Sequence, residues 1–339
     1  PKDNLVLRIS YIVLRNTHHA RRNTRMSFGR TYNFLVHQQE SGRLITKEQM
    51  TEKITLRVAA KINLYLNILG KRNDGYHEIE SIMQSITLYD RLTLRPLNQG
   101  IRILSNESDI PVDRENICYK TAKLFLQKTN LNKGLQIEIH KAIPVKAGLG
   151  GGSADAAATL WGMNRLFQSG LLLSDLKEWA SLLGADIPFC LQGGTSLVRG
   201  KGEILISLPP LKNGWLVLLD PTVPISTAWA YERVRIGLTK KKLSAKLLAK
   251  SIRKEGLLGI SNSLYNKLEE VVLERFPLVG SVKEKMKEAG ARGALMTGSG
   301  STVFAIVEDR QKGQEILSKL KGMGRGYLVQ PIDRSLKEV

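Results

Sequence analysis

Hydrophobic and polar positions alternate with the period of a β-strand soon after Met50. The alternation runs from Ile54 to Ala60 and predicts a strand, because successive side chains of a strand point to opposite faces. Similar patterns predict strands at residues 82–94, 135–139 and 197–208, and helical spacing predicts helices at residues 117–128 and 153–167. Strands interleaved with helices in this way indicate a mixed α/β domain.

A second structural unit is predicted after Pro209, Pro210 and Gly214, where the pattern breaks. Its apolar runs predict strands at residues 215–219, near 294, at 303–307 and near 327, and helices at residues 281–290 and 311–321. Two helices packed on an antiparallel sheet would satisfy that order. The sequence therefore predicts two domains, residues 50–208 and 215–339, with a cleft between them.

The first 49 residues differ in composition from the rest of the chain. They contain nine Lys and Arg residues against three Asp and Glu, and their arginines concentrate between Arg15 and Arg30. Three interpretations stay open: upstream sequence wrongly joined to the reading frame, an organelle transit peptide, or a basic tail. We expect this basic N-terminal extension, residues 1–49, to lie outside the fold.

The whole chain carries a formal net charge of +20, which attracts polyanions such as nucleic acid, anionic membranes or phosphorylated metabolites. No apolar run approaches the roughly 18 residues of a membrane helix, and no secretory signal is evident. We expect a cytoplasmic protein without membrane association, with organelle import by residues 1–49 as the alternative. The two cysteines, Cys118 and Cys190, predict no disulfide framework and no cysteine metal site, and both are expected to be buried.

A glycine-rich stretch from Gly148 to Gly152 leads directly into the alanine-rich helical pattern. Backbone amides freed by glycine at a helix N-terminus form a site for anions. Ser153 is predicted to cap the helix and to offer its hydroxyl to Mg²⁺. A flexible linker is the poorer interpretation, because a linker has no reason to run into an amphipathic helix. The stretch lacks the GK[ST] ending of a Walker loop and departs from the GxGxxG dinucleotide pattern.

A second glycine cluster, from Met296 to Thr302, lies between two predicted strands. An ordinary hairpin explains it as well as a ligand-binding loop does. As a ligand-binding loop, it would close over phosphates from the opposite side of the cleft between the two predicted domains.

Two ionisable residues lie in apolar surroundings. Asp186 precedes Pro188 in LGADIPFCLQGG, and an acid in that setting either caps a turn or takes part in chemistry. Lys61 is predicted to end the first strand, and a buried lysine needs a carboxylate partner. Phosphoryl transfer to a hydroxyl needs a group that accepts the hydroxyl proton, and Asp186 is the candidate.

An aromatic residue and a histidine, Tyr76 and His77, follow the turn at residues 73–75. Together they are able to stack on a flat ring and to form hydrogen bonds with it. A structural role for the histidine is the alternative.

Four segments, in this order and spacing, resemble the superfamily of galactokinase, homoserine kinase, mevalonate kinase and phosphomevalonate kinase. They are AAKINLYLNILGKRNDGYHEIESIMQSI, PVKAGLGGGSADAA, LGADIPFCLQGG and MTGSGSTVFAIV. The resemblance spans Met50 to the C-terminus. It implies an α+β fold, with an N-terminal domain like the second domain of ribosomal protein S5, a ferredoxin-like C-terminal domain, and an active site in the cleft between them. It also implies ATP as co-substrate, with Mg²⁺.

The RNDGYHE turn narrows the resemblance to members that phosphorylate the 2-hydroxyl of a cytidine diphosphate-linked methylerythritol, on the non-mevalonate route to isoprenoids. It implies that Asp186 is the catalytic base and that Lys61 orients it. A second aromatic residue is implied against the cytosine that Tyr76 and His77 recognise. Trp229 is the first candidate for this place and Tyr231 the less favoured one.

The remaining ligand contacts also follow from the resemblance. It implies that the ATP phosphates are held by the residues Pro144, Gly148, Leu149, Gly150, Gly151, Gly152, Ser153 and Ala154. It implies substrate contacts from Asn63, Gly298 and Ser299. A homoserine or mevalonate-type kinase is the enzyme alternative, and an RNA-binding protein, suggested by the charge and the ribosomal-protein-like fold, is the alternative of another class. We expect a monomer or homodimer that does not bind nucleic acid.

Overall fold

A computed structural model describes residues 52–237 and 244–339, and Thr51–Val339 form one compact unit. The predicted basic extension, residues 1–49, lies outside the described residues. Within them, no helix is long and apolar enough to cross a membrane. Cys118 and Cys190 are buried, as predicted, and neither forms a disulfide.

The described residues form twelve strands and nine α-helices. The strands are β1 (Ile54–Lys71), β2 (His77–Leu97), β3 (Ile101–Ser105), β4 (Gly134–His140), β5 (Thr195–Gly200), β6 (Ile204–Ser207), β7 (Trp215–Asp220), β8 (Tyr265–Asn266), β9 (Gly293–Met296), β10 (Val303–Val307), β11 (Arg325–Val329) and β12 (Leu336–Glu338). The helices are α1 (Ile117–Thr129), α2 (Gly151–Leu166), α3 (Leu173–Ser181), α4 (Ile187–Gln192), α5 (Thr227–Arg233), α6 (Ala245–Gly259), α7 (Glu269–Arg275), α8 (Pro277–Glu288) and α9 (Arg310–Lys319).

The strands form two sheets. The first has eight strands in the order β12-β1-β2-β4-β3, with β5 joined to β2, β6 to β5 and β8 to β1. The second has four antiparallel strands in the order β11-β7-β10-β9, and helices α8 and α9 pack on it. The prediction of an α+β fold, with two helices on an antiparallel sheet in its C-terminal part, is confirmed. The first sheet also takes β8 and β12 from the C-terminal part of the chain.

The first strand extends far beyond the alternating pattern that predicted it. All residues from Val58 to Leu66 are buried, so both faces of β1 are covered and the apolar–polar alternation disappears. The prediction that Lys61 ends this strand is therefore wrong. Lys61 lies within β1, where its ammonium group is surrounded by protein.

Helix α2 packs closely on the first sheet. Ala154, Ala157 and Ala158 are fully buried, and a Cβ added to Gly162 would lie 2.4 Å from the Cδ1 atom of Leu94 in β2. Small side chains thus allow the helix to lie directly against the strands. This contact places the N-terminus of α2 beside the middle of β1.

Candidate active site

A cavity of about 1210 Å³ brings together both glycine-rich segments, the middle of β1, the turn before β2 and the start of α5. Sites for single small molecules are typically about 300–1,000 Å³. The volume therefore suits two ligands lying side by side.

A lysine and an aspartate that are far apart in sequence meet in this cavity. Lys61 is 4% exposed, and its Nζ atom lies 3.4 Å from Oδ2 of Asp186. The same Nζ donates to Oδ1 of Asn63 at 2.8 Å and to the carbonyl of Gly148 at 3.2 Å. The predicted carboxylate partner is present, and the ammonium also contacts the first glycine loop.

Asp186 occupies the N-cap position of helix α4, yet its side chain accepts no capping hydrogen bond. Its backbone carbonyl accepts from the amide of Cys190, so the backbone alone begins the helix. The carboxylate, with 30% of the side chain exposed, is left facing the cavity. Of the two roles left open by the sequence, the geometry does not support capping.

Two glycines of the first loop have backbone conformations and close contacts that a residue with a side chain would not tolerate. Gly148 and Gly150 have φ values of +78° and +73°, in the left-handed region that favours glycine. A Cβ on Gly148 would lie 2.3 Å from the carbonyl oxygen of Thr297, and one on Gly150 would lie 2.9 Å from Cγ of Lys61. The loop is therefore closed against both β1 and the second glycine cluster.

Helix α2 begins earlier than predicted. Gly150 is its N-cap, without a side-chain hydrogen bond, so the prediction that Ser153 caps the helix is wrong. Ser153 is the third helical residue, and it lines the cavity together with Pro144, Gly151 and Gly152. The early start follows from the left-handed conformation of Gly150, which turns the chain into the helix directly.

Two residues predicted at the phosphate site, Leu149 and Ala154, do not line the cavity. Both side chains are buried in the core. The carbonyl of Leu149 accepts a hydrogen bond from the amide of Lys61 at 3.0 Å, so this residue holds the loop against β1.

The second glycine cluster is hydrogen-bonded to the residue before the first cluster, to β1 and to β8. The amide of Thr302 donates to the carbonyl of Ala147 at 3.2 Å, and the amide of Asn63 donates to Oγ1 of Thr297 at 2.9 Å. Nδ2 of buried Asn266 donates to the carbonyls of Met296 and Gly298, each at 2.8 Å. These bonds distinguish the cluster from an ordinary hairpin.

Three predicted substrate contacts lie at the junction of the two loops. Asn63, Gly298 and Ser299 all line the cavity. Asn63 is 2% exposed and donates through Nδ2 to Oγ of Ser81 at 2.9 Å. The hydroxyl of Ser299 is hydrogen-bonded to that of Thr227 at 2.9 Å, which links the second loop to the first turn of helix α5.

The opposite end of the cavity is aromatic. The rings of His77 and Tyr231 lie 5.3 Å apart between centroids, and Nζ of Lys201 lies 4.6 Å from the ring centroid of Tyr76. Burial, with a contribution from the charge of Lys71, lowers the pKa of His77. The imidazole is therefore neutral at neutral pH, with one nitrogen that donates and one that accepts.

The first candidate for the second aromatic residue, Trp229, does not line this cavity. Its ring packs against Phe276, with centroids 5.4 Å apart, and borders a separate, smaller pocket. Two residues along a helix correspond to about 200° of rotation, so Trp229 and Tyr231 point to opposite sides of α5. Tyr231, the less favoured candidate, is the residue in the cavity.

A buried ion cluster beside the first glycine loop has no counterpart among the predicted site residues. Nζ of Lys141 pairs with Oδ2 of Asp90 and, at 2.8 Å, with Oδ2 of Asp155. Burial opposes the charge of Lys141, but the two carboxylates outweigh it and raise the pKa of the ammonium. Burial raises the pKa of Asp155 above its usual range although Lys141 opposes this shift. The available sequence signal was a set of charges inside apolar runs, as in ITLYDRLTL.

Comparison with known proteins identifies the family. The models for the GHMP kinases N terminal domain and the GHMP kinases C terminal match residues 116–194 and 243–326. The 4-diphosphocytidyl-2-C-methyl-D-erythritol kinase of Pelotomaculum thermopropionicum is 44% identical over 277 residues, covering 81% of this chain and 96% of the relative. The chain belongs to the 4-diphosphocytidyl-2-C-methyl-D-erythritol kinase family. The expected superfamily is thereby confirmed.

Solved structures agree with this family assignment. The crystal structure of a 4-(cytidine 5'-diphospho)-2C-methyl-D-erythritol kinase matches with a TM-score of 0.70 and 32% identity, over 82% of this chain and 99% of that chain. The homoserine kinase of Cytophaga hutchinsonii matches with a TM-score of 0.69 at 21% identity, over 86% and 99%. This second likeness concerns the fold alone.

Proposed function

We propose that the protein transfers the γ-phosphate of ATP to the 2-hydroxyl of 4-diphosphocytidyl-2-C-methyl-D-erythritol, in the non-mevalonate route to isoprenoid precursors. The observation that carries the proposal is the position of Lys61. Its Nζ atom contacts both the carboxylate of Asp186 and the carbonyl of Gly148 in the glycine loop. One ammonium thus connects a candidate proton acceptor to a candidate phosphate site.

The glycine loop supports the nucleotide half of this reaction. The N-terminus of α2 carries backbone N–H groups without helical partners and the positive end of the helix dipole. Gly150, Gly151, Gly152 and Ser153 line the cavity at this point. The β- and γ-phosphates of ATP would lie here, with the second glycine loop on their other side.

Asp186 accepts the proton in the proposed step. The substrate hydroxyl oxygen forms a bond to the γ-phosphorus as the bond from that phosphorus to the bridging oxygen of ADP breaks, and the hydroxyl proton passes to the Asp186 carboxylate. Lys61 holds that carboxylate in position and offsets the negative charge around it. Asn63 would orient the hydroxyl, since it lies beside Lys61 in the same cavity.

The proposed magnesium site uses Ser153. When bound, Mg²⁺ supplies positive charge to the β- and γ-phosphate oxygens. The hydroxyl of Ser153 is free of any capping role and lines the cavity where the phosphates would lie, which fits a ligand for this ion. Within the described residues, no group of three His, Cys, Asp or Glu side chains is arranged to hold a metal without such a ligand.

The aromatic end supports recognition of cytosine. His77 and Tyr231 present neighbouring rings, and Tyr76 lines the same end of the cavity. A neutral His77 both donates and accepts hydrogen bonds, as the amino group and ring nitrogen of cytosine require. Homoserine and mevalonate contain no ring, so a kinase for either acceptor would have no use for this end of the cavity.

An assay with competing acceptors tests the proposal. The purified chain with Mg-ATP is offered 4-diphosphocytidyl-2-C-methyl-D-erythritol, mevalonate and homoserine in turn, and ADP release is measured by a coupled reaction. We expect turnover with the cytidyl substrate alone. Equal turnover with mevalonate or homoserine would assign the chain to the enzyme alternative instead.

The net charge of +20 motivates a parallel RNA-binding measurement. An RNA-binding protein would bind RNA tightly, with an affinity that falls steeply as salt increases. Such a function gives no role to Lys61 and Asp186, which face a cavity. We expect only weak RNA binding, and expect it to be unchanged in Asp186→Asn.

A further inference from the structure

The ion cluster of Asp90, Lys141 and Asp155 lies against the first turn of helix α2 and takes no part in the proposed chemistry. The side chains of Asp90, Lys141 and Asp155 are 0%, 4% and 4% exposed, respectively. Three buried ionisable groups are costly to desolvate, and their mutual attraction repays that cost only where the geometry is good. The position of the cluster therefore calls for a functional reason.

Each member of the cluster is tied to a different element. Asp90 lies in β2, and its Oδ1 atom accepts from the amides of Ala142 and Ile143 at 2.7 and 2.9 Å. Lys141 follows β4, and Asp155 lies one turn into α2. The cluster thus connects two strands of the first sheet to the helix that begins the phosphate site.

Lys141 lies unusually close to the helix N-terminus. A Cβ added to Gly151, the first residue of α2, would lie 3.0 Å from Nζ of Lys141. A cation at the N-terminus of a helix opposes the helix dipole. Two carboxylates hold the ammonium there, next to the backbone N–H groups of the first turn, where anions bind.

The cluster also faces the cavity. Both Lys141 and Asp155 line it, and Oδ1 of Asp155 is buried without a hydrogen-bond partner. A buried carboxylate oxygen left without a partner is uncommon and costs free energy. Removal of Lys141 would leave two carboxylates next to the expected position of the phosphates.

We propose that Lys141 is a positioning residue for the nucleotide phosphates. Held between Asp90 and Asp155, it fixes the first turn of α2 on the sheet and adds positive potential at the loop. This role rests on the proposed function only in that the loop binds a nucleotide; it does not depend on which acceptor is phosphorylated.

Calorimetric titration with ADP and Mg²⁺ tests the proposal without any acceptor substrate. Lys141→Met should bind ADP roughly tenfold more weakly or worse, since it replaces one ammonium by a neutral group beside two carboxylates. Lys312→Met, which removes a surface lysine paired with Glu315, is the matched control and should bind within about twofold of wild type.

The double variant Lys141→Met/Asp155→Asn tests whether the lost ADP affinity comes from the unpaired carboxylates. Because it also removes one of the two carboxylates, it should regain part of the ADP affinity lost in Lys141→Met. Adenosine, which carries no phosphates, separates positioning from a merely structural role: a structural role alone would weaken adenosine and ADP binding by Lys141→Met equally, and that result would overturn the proposal.

The outcomes distinguish this inference from the function it rests on. A folded Lys141→Met with wild-type ADP affinity would overturn the inference alone. Absence of ADP binding by the wild-type chain would overturn the kinase proposal and this inference together. If circular dichroism shows Lys141→Met to be unfolded, Asp155→Asn decides: weaker ADP binding supports the proposal, because Lys141 then loses its ionic link to α2, and equal or tighter binding contradicts it.

Discussion

The two ends of the cavity are built in different ways. At the proposed phosphate end, which carries the two glycine clusters, polar groups are buried and joined by hydrogen bonds, as Lys61 is to Asn63 and Gly148. At the aromatic end, Tyr76 is 49% exposed, and rings and a surface cation define the site. The first end is suited to hold reacting atoms in fixed geometry, and the second to recognise a flat group with side chains that have room to adjust.

The largest expected effect is a loss of turnover, caused by a substitution at the phosphate end that leaves the aromatic end unchanged. Asp186→Asn preserves the shape of the side chain but removes the proton acceptor, so kcat should fall on the order of 100-fold or more. Steady-state kinetics should show little change in the KM for either substrate. Asp333→Asn, at an exposed position, is the control. Near-normal turnover of Asp186→Asn would remove this residue from the mechanism.

A pair of glycine substitutions tests how tightly the phosphate end is closed. Gly148 and Gly170 both have positive φ, so an alanine at either position carries the same backbone strain of about 1–2 kcal/mol. A Cβ at Gly148 would meet the carbonyl of Thr297, whereas one at Gly170 meets nothing within 4 Å. Gly148→Ala should therefore raise the KM for ATP by roughly tenfold, since the loop must shift out of its binding geometry.

Gly170→Ala should leave the KM for ATP unchanged and lower only the free energy of unfolding, measured by urea denaturation. Equal effects of the two substitutions on the KM would show that strain, and not closure of the loop, controls nucleotide binding.

The aromatic end is tested by a pair of residues on helix α5. Tyr231→Ala should raise the KM for the cytidyl substrate roughly tenfold, because stacking of an aromatic ring on a base contributes about 1–3 kcal/mol. Tyr76→Ala and His77→Ala should act in the same direction. Trp229→Ala, whose ring faces Phe276, is the internal control. Initial-rate measurements should show an unchanged KM for ATP in each variant, and an effect of Trp229→Ala equal to that of Tyr231→Ala would refute the assignment.

The smallest expected effect concerns pH. Because the pKa of His77 is lowered in the folded protein, the unfolded chain binds a proton at a higher pH than the folded one does. The contribution of His77 to stability is therefore present above the unfolded pKa of about 6.5 and is lost as pH falls through the lowered folded pKa. Melting temperatures at pH 7 and pH 5 should differ slightly less in His77→Gln than in wild type. An unchanged difference in His77→Gln would contradict this prediction.

The features that local sequence could predict were those governed by local rules. The glycine stretch before an alanine-rich helix predicted α2, and a lysine and an aspartate in apolar runs predicted an ion pair. The helix start was misplaced by two residues because Gly150 turns the chain through its left-handed conformation, whereas Ser153 is the more common type of cap.

The remaining features depend on contacts between distant parts of the chain. The full length of β1 was missed because burial on both faces removes the alternation. Trp229 was favoured over Tyr231 because the phase of a seven-residue helix is set by what it packs against. The pairing of Lys141 with Asp90 and Asp155 joins three elements, and no local pattern specifies it.

The pairing of β1 with β12 affects when this site is completed during synthesis. The amide of Ala59 donates to the carbonyl of Ser335 at 2.8 Å, and residues Leu56 to Val58 pair with Leu336 to Glu338. A ribosome adding about 5–20 residues per second makes residue 336 roughly 15–60 seconds after Lys61. During that interval, the part of β1 that later pairs with β12 has an unpaired edge, at which a nascent chain is exposed to aggregation or chaperone capture.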